Sequence, residues 1–150
     1  MPYELAQYNI AKNRWPLSDA RMAGFVDHLD EINHLADRSP GFVWRLQDDS
    51  GDATAIRLYD DPEIIVNMSV WESPEALRDF AYRSGHAEHF RRRRQWFDPM
   101  DGPILVLWWV PAGERPTALE GKGRLERLRA DGPTQHAFTF ARRFDPPAAA

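Results

Sequence analysis

The segment His86-Ala-Glu-His89-Phe90-Arg91-Arg92-Arg93-Arg94-Gln95-Trp96-Phe97 holds the densest set of side chains able to do chemistry. At helical spacing His86, His89, Phe90, Arg93, Trp96 and Phe97 fall on one side, so a stripe expected to be apolar carries two imidazoles and a guanidinium. An imidazole changes charge near neutral pH and can act as a general base, which makes His86 and His89 the candidate catalytic residues. A guanidinium among rings requires a carboxylate, a carbonyl or an anionic ligand, so Arg93 reads as a ligand contact beside Phe90 and Trp96. The plainer alternative is structural: His86 caps the turn at Gly85, His89 packs as a half-buried ring, and the arginines form a solvated face.

Asn9, Asn33, Asn67, Ser69 and Trp71 make a second set, polar or amphipathic groups on elements whose other residues are core. A buried asparagine must be hydrogen-bonded, so each is either a cross-brace or a ligand contact. Asn9, Asn67 and Trp71 join the candidate ligand-binding residues. Trp44, Trp108 and Trp109 read as core or dimer interface. His28 and His34 fall off the stripe of their helix and read as solvated.

Several chemistries lack their residues. His86 and His89 lie at i, i+3 without an HExxH or facial-triad pattern, so no metal site is expected. Walker and dinucleotide loops and a Gly-x-Ser-x-Gly elbow are absent. Four consecutive arginines fan around a helix, and the acidic runs at Asp48–Asp52 and Asp60–Glu63 oppose them, so nucleic acid is not an expected partner. With no cysteine in 150 residues, disulfides, Fe–S clusters and thiolate nucleophiles are excluded, and the net charge of −4 argues against a phosphate-binding surface.

The elements that must position these groups follow from periodicity and breakers. Tyr3–Ala11 reads as a strand with Leu5, Gln7 and Asn9 on one face and Ala6, Tyr8 and Ile10 on the other. Ser18 is the expected cap of a helix to about Arg38, with the stripe Met22, Phe25, Val26, Leu29, Ile32 and Ala36. Strands follow at 42–47, with a hairpin extension over 53–59, and at 63–71. Ser73-Pro74-Glu75 opens a helix to Ser84, and a further helical piece covers 86–97. Ile104–Val110 is apolar on both faces and must be covered on both. Thr117 and Glu120 form a capping box for a helix toward Arg129, and 136–141 reads as a short last strand.

The order is α+β, ferredoxin-like β-α-β-β-α-β with a C-terminal helix-strand extension, a single domain over 1–145 and a frayed tail at 146–150. Helices on one face would leave the other face of the antiparallel sheet bare and too apolar for a monomer, which points to a homodimer packed sheet to sheet. The longest apolar run, 103–112, is too short to span a bilayer, and the N-terminus shows no leader, so no membrane partner and a cytoplasmic location are expected.

The opening YELAQYNIAKNRWPL, the stretch FVDHLDEINHLADRSPGFVWRL, the segment MSVWESPEALRDFAYRSGHAEHFRRRRQWF and the ending DGPTQHAFTF resemble family 3291 of the domains of unknown function, from Tyr3 to about Phe144. The resemblance implies the dimeric α+β-barrel superfamily, which includes cofactor-free antibiotic-biosynthesis monooxygenases and haem-degrading monooxygenases. The haem-degrading members use an asparagine on the first strand, a tryptophan ending the third and a histidine on the second helix. Asn9, Trp71 and His86 or His89 occupy comparable places. The resemblance implies a cofactor-independent, monooxygenase-like enzyme acting on a small, largely apolar molecule. A non-enzymatic small-ligand-binding or scaffold protein is the alternative, and a haem-binding or haem-degrading monooxygenase is the third reading.

Overall fold

The structure, a computed structural model, describes residues 3–47, 58–83 and 95–147. Its elements are β1 (Tyr3–Asn13), α1 (Ala23–Asp37), β2 (Phe42–Arg45), β3 (Ile64–Trp71), α2 (Pro74–Arg83), β4 (Phe97–Asp98), β5 (Leu105–Pro111) and α3 (Ala118–Asp131). The protein is α+β, with a curled antiparallel sheet and helices. β1 lies at its centre, flanked by β3 on one side and by β4 and β5 on the other, with β2 beyond β3.

β1 pairs with β3 from Leu5↔Trp71 to Lys12↔Ile64, and with β5 from Tyr3↔Pro111 to Asn9↔Leu105. Side chains alternate across a strand, so this register sorts the sheet into two faces. One carries Ala6, Tyr8, Ile10, Val66, Met68, Val70, Val106, Trp108 and Val110. The other carries Leu5, Gln7, Asn9, Asn67, Ser69, Trp71, Leu105, Leu107 and Trp109.

The first face corrects the expectation of a bare sheet face. It is not bare: Leu125 and Leu128 of α3 pack onto it, and Tyr8, Val106 and Trp108 are fully buried within one chain. The physical reason is the C-terminal helix, whose helix α3 turns its apolar residues onto β1 and β5. Gly121 permits the approach, since a Cβ there would stand 2.4 Å from Cδ2 of Tyr8. A glycine inside a helix ordinarily weakens it, and here it is what lets the helix lie close. Tyr8 and Tyr59 share a hydrogen bond of 2.8 Å beneath it, and burial first, then the Tyr59 hydroxyl, pushes the Tyr8 phenol well above its ordinary range.

Other expectations shift locally. The cap before α1 is Asp19, not Ser18: its carboxylate accepts from the Arg21 N–H at 2.8 Å and opens a 3-10 turn over Ala20–Met22. Arg21 hydrogen bonds hold that carboxyl down at about 2. Val26, expected in the apolar stripe, is exposed, because it falls just outside the arc of Phe25, Leu29 and Ile32. The helical piece over 86–97 does not reach its expected end: Phe97 and Asp98 pair with Asn13 and Lys12 as β4. The last strand reduces to isolated bridges, Phe138 with Leu107 and Ala137 with Thr134. Thr117 does cap α3, its Oγ1 accepting from the Glu120 N–H at 3.1 Å. The hairpin extension over 53–57 lies outside the described residues. No helix among the described residues is long and apolar enough to cross a membrane.

Candidate functional site

The second face of the sheet is the floor of a cavity of about 450 Å³. Phe25, Leu29, Ile32, Asn33 and Ala36 of α1 roof it, with Leu77, Phe80, Ala81 and Tyr82 of α2, Trp96, and Phe140 from the C-terminal segment. Its volume lies within the range common for pockets that take small molecules, and its walls are mostly apolar.

The floor carries a continuous polar strip made by two facing strands. Gln7 and Asn9 on β1 alternate onto the same face as Asn67 and Ser69 on β3, and the register sets Gln7 against Ser69 and Asn9 against Asn67. Gln7 Nε2 donates to Asn67 Oδ1 at 2.7 Å and to Ser69 Oγ at 2.8 Å. Asn9 Nδ2 donates to Gln7 Oε1 at 2.8 Å and to Asn67 Oδ1 at 3.2 Å. Trp71 Nε1 donates to Ser69 Oγ at 2.8 Å. Gln7 is buried and its amide is fully engaged, whereas Asn9 is half-buried and Asn67 exposed. Asn9 Oδ1 and Asn67 Nδ2 carry no hydrogen bond among the described residues, so each asparagine is both brace and available contact.

Trp71 closes one end of the cavity but is not a free stacking surface. Phe80 stacks on it at 5.2 Å, Phe42 meets it edge-on at 5.3 Å, and its N–H is spent on Ser69. Ser69 is therefore a hinge of the strip. Ser69→Ala should lower stability by about 1–3 kcal/mol, because the buried indole N–H loses its acceptor. A urea unfolding curve checks this through its midpoint.

Trp96 is buried against α1, 6.0 Å from the Phe25 ring, and Gly24 leaves the room, since a Cβ there would stand 3.2 Å from the indole. Arg45 is the one ionisable side chain of fixed charge among the described lining residues, and Asp37 holds its Nε at 2.8 Å. His28, His34 and His136 are exposed and line no part of the cavity.

Of the sequence-derived site residues, the structure brings Asn9, Asn67, Trp71 and Trp96 to one cavity. His86, His89, Phe90 and Arg93 lie outside the described residues. For haem, the described lining holds no histidine and no methionine, and the chain has no cysteine, so these walls do not supply an axial imidazole, thioether or thiolate. Gln7 and Arg45 were not singled out from the sequence. The signal for Gln7 was there: two polar residues at i, i+2 on each of two strands share a face, which marks a polar strip once the strands are known to pair.

Three solved structures resemble the chain. SnoaB, a cofactor-independent oxygenase from Streptomyces nogalater, gives a TM-score of 0.48 at 19% identity, covering 75% of this chain and 95% of its own. NE2512, a protein of unknown function from Nitrosomonas europaea, gives 0.45 at 13% identity, covering 77% and 96%. A candidate antibiotic biosynthesis monooxygenase from Chloroflexus aurantiacus gives 0.45 at 16% identity, covering 77% and 98%. No curated protein matches the chain. A family model, described as domain of unknown function DUF3291, matches residues 4–150, and the chain belongs to that family.

Proposed function

We propose that the protein binds a small, flat, largely apolar molecule in the cavity between sheet and helices, with the molecule's polar edge on Asn9 and Asn67. The observation that carries this reading is the strip of Gln7, Asn9, Asn67 and Ser69 on the floor of a mostly apolar chamber. A polar strip that only braced the sheet would spend its valences within itself, whereas among the described residues the Asn9 carbonyl oxygen and the Asn67 amino group have no hydrogen-bond partner.

Within this reading, the reaction class we assign to the bound molecule is a monooxygenase-type oxidation, with His86 and His89 as the bases and Phe90 and Arg93 as further contacts. An imidazole that changes charge near neutral pH suits the proton abstraction such an oxidation begins with. Calorimetric titration with 2-naphthol should give a saturable one-to-one isotherm, and heats of dilution alone would overturn the binding reading. An oxygen electrode should then register consumption with the phenol that the wild type loses on His86→Ala plus His89→Ala. Unchanged consumption in that double variant removes the histidines from the chemistry, and no consumption by the wild type leaves the binding protein without the oxidation.

A further inference from the structure

We propose that Gln7 is a positioning residue that fixes which hydrogen-bonding polarity Asn9 and Asn67 present to the cavity, so that the site selects ligands carrying a donor beside an acceptor. This rests on the cavity being a ligand site, as set out above, and goes further by naming the edge the ligand must carry.

The inference follows from counting the ends of one amide. Gln7 touches Asn67 and Ser69 with its Nε2 end and Asn9 with its Oε1 end. An amide has one donating and one accepting end, so the two asparagines, held by opposite ends, must turn unlike atoms toward Gln7. They are then left with unlike atoms for the cavity: the Asn9 carbonyl oxygen and the Asn67 amino group. The direct contact of Asn9 Nδ2 with Asn67 Oδ1 requires the same opposition.

The result holds if the strip is reversed. Turning all three amides over together keeps every contact: the Ser69 hydroxyl and Asn67 then donate to Gln7, and Gln7 and Asn67 donate to Asn9. Trp71 still donates to Ser69, whose oxygen accepts in either sense. Asn9 now offers its amino group and Asn67 its carbonyl. One donor and one acceptor face the cavity in both senses, and no sense offers two of a kind. The complementary ligand edge is an N–H or O–H beside a carbonyl, as in a primary amide, a lactam or a hydroxy-ketone. An edge with acceptors alone leaves one asparagine carbonyl facing another lone pair. Because Gln7 is buried, it exerts this choice without needing to touch the ligand.

The test uses the intact protein and three probes of similar size: 2-naphthamide, 2-acetonaphthone, in which a methyl replaces the amino group, and naphthalene. The wild type should bind 2-naphthamide roughly fivefold to tenfold more tightly than 2-acetonaphthone, the worth of one satisfied hydrogen bond. In Gln7→Met only the 3.2 Å Asn9–Asn67 contact still opposes the two amides, and the ratio should fall to within about twofold. In Gln7→Glu both carboxylate oxygens accept and draw both amino groups inward, so both asparagines face the cavity with carbonyls, 2-acetonaphthone loses its donor, and the ratio should rise above the wild-type value. The ratio is read between isosteric ligands, so a residue that merely supports the sheet would lower both affinities and leave it unchanged. Should Gln7→Met not fold, Gln7→Glu and the wild-type ratio decide. Equal wild-type affinities, or a ratio preserved in the folded variants, would overturn the role of Gln7 while the ligand site stands. Failure of all three probes to bind the wild type would instead remove the ligand site itself.

Discussion

Gly121→Ala is expected to destabilise the protein by about 2 kcal/mol, although the same change in an open helix would stabilise it by about 1 kcal/mol. The reason is geometric. A Cβ at 121 would stand 2.4 Å from Tyr8 Cδ2, 2.8 Å from Cγ and 3.0 Å from Cβ. Tyr8 cannot retreat: it is fully buried on the central strand, paired on both sides, and its hydroxyl is bound to Tyr59. α3 must lift instead, loosening Leu125 and Leu128 from the face they cover. Gly123, two residues on, has nothing within 4 Å of its added Cβ, so Gly123→Ala should gain up to about 1 kcal/mol. Opposite shifts of the thermal midpoint, each about 2–4 °C per kcal/mol for a chain of this size, are the expected result. Two shifts of the same sign would mean that α3 does not seat on Tyr8 as described.

Trp71→Ala carries the largest expected loss, about 3–5 kcal/mol. The indole is 1% exposed, stacked on Phe80 and edged by Phe42, and its N–H closes the polar strip through Ser69. Its removal leaves a void beside the cavity and takes the donor from Ser69. Leu119→Ala, at a side chain 69% exposed, should change stability by no more than about 0.5 kcal/mol in the same denaturant series. Similar losses for the two would contradict the packing assigned to Trp71.

Much of the framework is legible in periodicity. The β-branched run of β3, the Ser73-Pro74 start of α2 and the Thr117 capping box each specify their element locally, because the signal lies in adjacent residues. Alternation also puts Asn67 and Trp71 on one face of β3, and Asn9 beside Leu5 and Gln7 on one face of β1, since it is a local property. What is not legible is long-range. That α3 covers the apolar face depends on Gly121 meeting Tyr8, residues far apart in the chain, so the face that periodicity leaves bare is covered. The end of the 86–97 segment is decided by pairing of Phe97 and Asp98 with β1, which overrides helical spacing. Gln7 is hidden for the same reason: its importance lies in being bound by both asparagines at once, and only the register of β1 with β3 shows that.

The most direct measurement is an NMR titration of 15N-labelled protein with 2-naphthamide, read at the side-chain amide signals of Asn9 and Asn67, with the exposed Gln135 as a reference. Saturable shifts at both asparagines with Gln135 unmoved are the expected result. Binding that leaves both asparagine amides unmoved, or no binding at all, would contradict a ligand site on the floor of this cavity.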